Sequence, residues 1–123
     1  MTTPRVLVVD DNAINVELVR YVLEHDGFAI ESAPDAHEAL QCIRSFQPEL
    51  VLMDIQMPGM DGLELTRMLK ADPLLQHIVV VAFTAYAMQG DETKMLAAGC
   101  DGYLSKPIDV RTFAASVRSL LTT

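Results

Sequence analysis

The sequence predicts an α/β fold, a doubly wound five-stranded parallel sheet with helices on both faces, and three observations support this prediction. Five short apolar runs recur at intervals that fit one strand plus one crossover helix. The runs are continuously apolar rather than alternating, as in parallel sheets that helices cover on both sides. The segments between the runs carry apolar residues at helical spacing. The chain of 123 residues is therefore expected to form a single domain, residues 1–123.

The predicted elements follow one another along the chain. The strand cores are Val6–Val9, Phe28–Ile30, Leu50–Met53, Ile78–Phe83 and Tyr103–Leu104. Helical spacing is seen first at Ile14, Leu18, Val19, Val22 and Leu23, and later at Ala39 and Ile43, at Leu65, Met68 and Leu69, at Met95 and Leu96, and at Phe113 and Val117. Residues that favour helix starts stand at Asn12, Asp35, Asp61 and Asp109, and residues that favour helix ends stand at Gly27, Pro48, Pro73 and Gly99.

The order of the strands follows from how apolar each run is. Runs one, three and four are the most uniformly apolar, whereas runs two and five are mixed, so the first group belongs inside the sheet. The flavodoxin-like order 2-1-3-4-5 satisfies this with right-handed crossovers. It places the topological switch point between strands one and three.

Composition narrows the class of partner. Nine Lys and Arg against seventeen Asp and Glu give a net charge of −8 and a pI near 4.6. Such a surface repels nucleic-acid phosphates and anionic lipids, so a protein partner is expected and direct nucleic-acid binding is not. No apolar run is long enough to span a bilayer, and Met1 to Arg5 does not resemble a signal peptide, so a cytoplasmic location is expected. Cys42 and Cys100 show no metal or disulfide spacing and are expected to be reduced core residues.

Polar residues follow four of the apolar runs. Asp10 and Asp11 follow the first, Asp54 the third, Thr84 the fourth and Lys106 the fifth. Each alone is an ordinary helix cap, strand end or surface residue. In a parallel sheet, however, all of them reach the same edge. Two carboxylates about 5 Å apart repel by roughly 3 kcal/mol at an effective dielectric constant of 20. A bound divalent cation would offset this repulsion, so the cluster predicts a metal site. Oxygen ligands favour Mg²⁺, or Mn²⁺, over zinc.

Four segments together carry a family resemblance. The segments VVDDN, LVLMDIQMPGMDG, AFTAYAM and YLSKPI, in this order and spacing, resemble the receiver domain of two-component response regulators, which has the chemotaxis-type fold. The resemblance covers essentially the whole chain. It implies a phosphoacceptor of a phosphorelay, on which Asp54 accepts a phosphoryl group from a sensor histidine kinase or a histidine phosphotransfer protein and a downstream protein target is switched. The domain would assist its own phosphorylation and dephosphorylation and would not be an enzyme acting on other substrates.

The resemblance also implies a set of metal ligands. Asp11 and Asp54 would bind Mg²⁺ directly, together with the backbone carbonyl of Gln56. Asp10 would act mainly through a metal-bound water. Gln56 and Tyr86 stand at positions where family members tune hydrolysis of the acyl phosphate.

Further residues would hold the phosphoryl group and switch the domain. Lys106 and Thr84 would each contact a phosphoryl oxygen, and a cis peptide bond at Pro107 would turn Lys106 inward. On phosphorylation Thr84 would move and Tyr103 would rotate inward. The output face would comprise roughly Met88–Ala98, Tyr103–Leu104 and Val110–Leu120.

Other functions fit the sequence less well. A flavodoxin-type cofactor site needs a phosphate loop rich in glycine and hydroxyl groups, whereas Asp10 and Asp11 repel a bare phosphate. A phosphatase of the haloacid-dehalogenase type needs two acids with one residue between them, whereas the two acids of VVDDN are adjacent. A receiver-like docking module that works without phosphorylation stays open as the alternative. The sequence also leaves open whether the domain stands alone or belongs to a longer regulator or hybrid kinase.

Overall fold

The computed structural model describes residues 3–54, 62–84, 91–105 and 108–121. Five strands alternate with five helices in these ranges: β1 (Arg5–Val9), α1 (Ala13–His25), β2 (Ala29–Ala33), α2 (Ala36–Phe46), β3 (Leu50–Asp54), α3 (Gly62–Ala71), β4 (Val79–Thr84), α4 (Asp91–Ala98), β5 (Gly102–Ser105) and α5 (Phe113–Leu121). The strands form one sheet in the order β2-β1-β3-β4-β5, and every neighbouring pair is parallel. The predicted fold class and strand order are confirmed.

The sheet separates two apolar layers because side chains alternate along each strand. On β1, Leu7 and Val9 face the layer that contains residues of α2, α3 and α4, whereas Val6 and Val8 face the layer of α1 and α5. All four residues are fully buried. The continuously apolar run therefore reflects a strand with a core on each side.

The strands β2 and β4 begin one residue later than their apolar runs, because the first backbone amide of each run donates a hydrogen bond outside the sheet. The Phe28 amide donates to the Leu23 carbonyl (3.0 Å), which closes the end of α1, and the intervening Gly27 adopts φ +93°. The Ile78 amide donates to the Leu75 carbonyl (3.0 Å) and closes a turn before β4. Apolar side chains at both positions are buried even though their backbones lie outside the sheet.

Two of the four predicted helix starts are confirmed as N-caps. The side chain of Asn12 accepts hydrogen bonds from two amides of α1, and that of Asp35 accepts one from α2. Asp61 lies outside the described residues. Asp109 begins a turn rather than a helix: its carbonyl accepts from the amides of Thr112 and Phe113, and α5 begins only at Phe113.

Four apolar residues that helical spacing assigned to the core are exposed. Ile14 is 79% exposed, Leu18 39%, Met68 45% and Leu96 56%. No helix in the described ranges is both long and apolar enough to cross a membrane.

Candidate functional site

Three carboxylates meet at the carboxyl edge of the sheet. Asp10 directly follows β1, and Asp54 ends β3; Val9 and Met53, the residues before them, are paired in register. Asp11 follows at the start of the loop into α1. Each of the three acids offers a carboxylate oxygen, and these oxygens all lie within 4.8 Å of one another. The predicted convergence of the first and third strand ends is therefore observed.

The three acids differ in burial because they leave the sheet at different points. Asp10 is 2% exposed and Asp54 is 5% exposed, whereas Asp11 is exposed. The Asp10 amide donates to the Ala33 carbonyl (3.1 Å), which continues the pairing of β1 with β2. Asp10 Oδ1 accepts from the Asn12 amide (2.9 Å), so this carboxylate also shapes the turn into α1. The turn fixes the loop that presents Asp11.

The electrostatics of this cluster are unfavourable without a cation. Two unit charges about 5 Å apart repel by roughly 3 kcal/mol at an effective dielectric constant of 20, and burial of two of the acids limits screening by water. Throughout the part of the chain that the structure describes, Asp11 makes neither a hydrogen bond nor an ion pair. Oxygen donors of this kind suit a hard divalent cation, and the cluster contains no His or Cys ligand. The residues present therefore fit Mg²⁺.

Some of the other predicted site residues lie outside the part of the chain that the structure describes. The backbone of Thr84 ends β4 beside β3, at the same edge as the acids. Tyr103 lies on β5, opposite Ala82 of β4, and is 38% exposed. Gln56 and Lys106 lie outside the described residues, as do Tyr86, Pro107 and Met88, the first residue of the predicted output face. The structure thus brings together the carboxylates and leaves the roles of Thr84, Lys106, Gln56 and Tyr103 as predictions.

A shallow cavity of about 350 Å³ extends from the acids between α1 and the end of β2. Arg20 reaches it from α1, where its guanidinium donates to the Ile30 carbonyl (3.1 Å) and lies 3.8 Å from a Glu24 oxygen. Sequence reasoning did not single out this arginine. The available signal was its position seven residues after Ala13, two turns along the helix that Asp11 precedes.

A second feature that sequence reasoning missed is an exposed apolar stripe on α1. Ile14, Leu18 and Tyr21 are 79%, 39% and 71% exposed. Their spacing places them on one side of the helix, next to the buried stripe that contains Val19 and Leu23. The helix therefore carries two apolar stripes, and the exposed one begins in the first turn, three residues after Asp11.

Comparison with known protein families decides the family of this chain. The family model described as "Response regulator receiver domain" matches residues 6–118. The chain is a response regulator receiver domain. The receiver match includes all three carboxylates and every strand but the first residue of β1.

Individual relatives agree with this assignment. The receiver domain is 44% identical over 119 residues to the polar-differentiation response regulator DivK of Brucella ovis, covering 97% of both chains. Among solved structures it is similar to a response regulator from Thermotoga maritima, with a TM-score of 0.90, 27% identity and coverage of 99% and 100% of the two chains. The chemotaxis protein CheY4 of Vibrio cholerae shares the fold, with a TM-score of 0.91 at 24% identity, over 97% and 99% of the two chains.

Proposed function

We propose that this receiver domain accepts a phosphoryl group on Asp54 from a phosphohistidine of a sensor histidine kinase or a histidine phosphotransfer protein. The observation that carries the proposal is the meeting of three carboxylate oxygens within 4.8 Å at the sheet edge of a receiver fold. An Asp54 carboxylate oxygen attacks phosphorus, and the P–N bond to the histidine ring breaks as the O–P bond forms. The ring nitrogen keeps the electron pair of the broken bond and takes up a proton.

The reaction needs its charges offset, since a carboxylate and a phosphoryl group are both negative. Asp10, Asp11 and Asp54 would hold Mg²⁺, with the Gln56 carbonyl completing the protein ligands by the family pattern. When bound, Mg²⁺ neutralises charge on the acids and on the phosphoryl oxygens. The burial of Asp54 keeps bulk water from the carboxylate that attacks.

Two further residues complete the proposed machinery. Lys106 and the Thr84 hydroxyl would each take one phosphoryl oxygen, as the family motif implies. Phosphorylation replaces the single negative charge of the Asp54 carboxylate by a phosphoryl group that carries nearly two, and would shift a two-state equilibrium in which Thr84 and Tyr103 move together. The face formed by α4, β5 and α5 would then bind a downstream protein.

The exposed stripe on α1 is the surface that we expect the phosphodonor to cover. Ile14 stands three residues beyond Asp11, and Leu18 follows one turn later on the same side. A donor histidine must approach Asp54 to bonding distance, so its protein has to contact whatever surrounds the acids. Contact with this stripe would remove apolar side chains from water at that moment.

Intact mass spectrometry tests the acceptor. Incubation with acetyl phosphate and Mg²⁺ is expected to add about 80 Da, one phosphoryl group, to the wild type and nothing to Asp54→Asn. Asp72→Asn is the matched control: among the described residues its side chain accepts only from the Leu74 amide (2.9 Å), and an Asn oxygen accepts equally well. A mass gain in Asp54→Asn would refute the assignment of the acceptor. No gain in the wild type would favour the docking module that works without phosphorylation.

A further inference from the structure

A cavity of about 520 Å³ opens at the opposite edge of the sheet, below the amino ends of β1, β3 and β4. Its walls come from the start of β1, the end of α2 and the connection between α3 and β4. Arg5, which lines it, lies five residues before Asp10, a separation of roughly 16 Å along an extended strand. This cavity is therefore distinct from the carboxylate cluster.

The floor of the cavity is apolar. Ile43 of α2 and Ile78 before β4 are 1% and 2% exposed, and Pro48 between α2 and β3 is buried. Leu74 stands at the rim and is 80% exposed. The volume lies within the roughly 300–1,000 Å³ that is typical of small-molecule sites, so the cavity is large enough for one compact organic molecule.

The rim is cationic although the chain has a net charge of −8. Arg5 and Arg44 line the cavity, against a single acid, Glu49, among the described lining residues. Arg5 Nε donates to the Gln47 carbonyl (3.1 Å). Within residues 3–54, 62–84, 91–105 and 108–121, the side chains of Arg44, His77 and Glu49 make no hydrogen bond or ion pair. The positive charges are thus not neutralised by the neighbouring carboxylate.

The walls are held in place before any ligand binds. The Glu49 amide donates to the Arg5 carbonyl (2.8 Å), and the Val79 amide donates to the Glu49 carbonyl (3.0 Å). On the other wall, Lys70 Nζ donates to the Ile78 carbonyl at 2.7 Å and to the Gln76 carbonyl at 3.2 Å. A preformed site loses little conformational entropy on binding.

Gln47 is the one described non-glycine residue with positive φ. It ends α2 at φ 53° and ψ 62°, a position where glycine is common and a side chain is strained. Gln47 belongs to the cavity lining. Strained backbone of this kind is often kept where a side chain serves a binding site.

We propose that this cavity binds a small organic anion, namely a carboxylate carried on an aromatic or branched aliphatic body. The apolar body would cover Ile43, Ile78 and Leu74, and the carboxylate would face Arg5 and Arg44. Such a ligand matches both the floor and the rim, whereas a cation would meet two unneutralised arginines. The inference does not depend on the phosphoacceptor chemistry at the other edge.

Amide NMR spectra of the full chain test the proposal with three probes of similar shape. 1-Naphthoate is expected to give saturable shifts of the Arg44, Gln47, Leu75 and Ile78 amides. Naphthalene-1-methanol, which lacks the charge, is expected to bind about tenfold more weakly. 1-Naphthylmethylamine is expected to leave these amides unchanged. Equal binding of all three probes, shifts centred elsewhere, or no saturable shift would each overturn the proposal.

Two charge reversals on exposed arginines provide the matched comparison. Arg44→Glu is expected to weaken naphthoate binding about tenfold, because one attraction becomes a repulsion. Arg67→Glu makes the same change on α3, outside the cavity, and is expected to change binding less than about twofold. Arg44→Gln, a milder variant, is expected to weaken binding roughly threefold. Equal effects of Arg44→Glu and Arg67→Glu would contradict a site at this rim.

Discussion

Adjacent residues of this chain have different physical roles at the carboxyl edge. Asp10 is buried, and both its amide and its carboxylate are used to shape the backbone, toward β2 and toward α1. Asp11, one residue later, is exposed and makes no such bonds in the described parts of the chain. A substitution of Asp10 therefore changes the fold of the turn as well as the charge, whereas a substitution of Asp11 changes mainly the charge. Asp11 is the cleaner position for testing metal binding.

The two free cysteines give a test of local packing. Burial raises the pKa of the Cys100 thiol, which is buried beside Thr66, and burial also raises the pKa of Cys42, which is only half-buried. A raised pKa leaves less thiolate at any given pH, so labelling of both thiols speeds up as pH rises.

We therefore expect iodoacetamide at pH 8 to modify Cys42 roughly ten times faster than Cys100, as followed by peptide mass mapping. In denaturant the two rates are expected to converge. Equal rates in the native protein would contradict the packing of Cys100 against Thr66.

At the scale of elements, α1 carries two apolar stripes with separate roles. Val19 is 1% exposed and packs in the core, whereas Ile14 is 79% exposed and stands three residues after Asp11. Val19→Ala is expected to lower the free energy of unfolding by about 2 kcal/mol, and Ile14→Ala to change it by less than about 0.5 kcal/mol. Urea denaturation measures both.

The variants Ile14→Ala and Val19→Ala also distinguish a loss of stability from a loss of binding to the phosphodonor protein. Ile14→Ala is expected to keep the wild-type rate of phosphorylation by acetyl phosphate and to slow transfer from a phosphorylated histidine protein. Val19→Ala serves as the control for loss of stability. An unchanged rate with the protein donor would show that the stripe does not contact it.

For each helix and strand, the sequence predicts the features that depend on residues close together in the chain. Asn12 and Asp35 cap their helices as expected because a cap needs only the next three residues. The start of α5 is not predicted, since the carbonyl of Asp109 holds a turn before the helix begins. The exposure of Ile14 is missed because periodicity identifies an apolar stripe but not which layer covers it.

At the candidate site, too, one feature could be predicted from the sequence and another could not. That Asp10 and Asp54 meet follows from strand order alone, since β1 and β3 are parallel neighbours. The difference in burial between Asp10 and Asp11 depends on hydrogen bonds to Ala33 and Asn12, which no local pattern predicts.

At the scale of the whole molecule, the acid cluster links metal binding to global stability. Without a divalent cation, Asp11→Asn is expected to raise the free energy of unfolding by about 1 kcal/mol, because it removes repulsion from a partly exposed cluster. Mg²⁺ at ten times its dissociation constant is expected to stabilise the wild type by about 1.4 kcal/mol.

Urea denaturation with and without Mg²⁺ measures both effects, and chelation is expected to reverse the second. Asp11→Asn is expected to respond little to Mg²⁺, and Asp72→Asn, which follows α3 and is not part of the acid cluster, to respond like the wild type. Equal stabilisation of Asp11→Asn and the wild type by Mg²⁺ would show that Asp11 is not a ligand.

All five strands point in one direction, and the two ends of the strand axis carry different charged groups. Three carboxylates stand at one end of the strand axis, and Arg5 and Arg44 stand at the other end together with one acid, Glu49. These groups add up to an electric dipole along that axis. The field of an approaching charged macromolecule exerts a torque on this dipole before contact, within roughly 8 Å at physiological ionic strength. A positively charged partner therefore turns the domain so that the three carboxylates face it first.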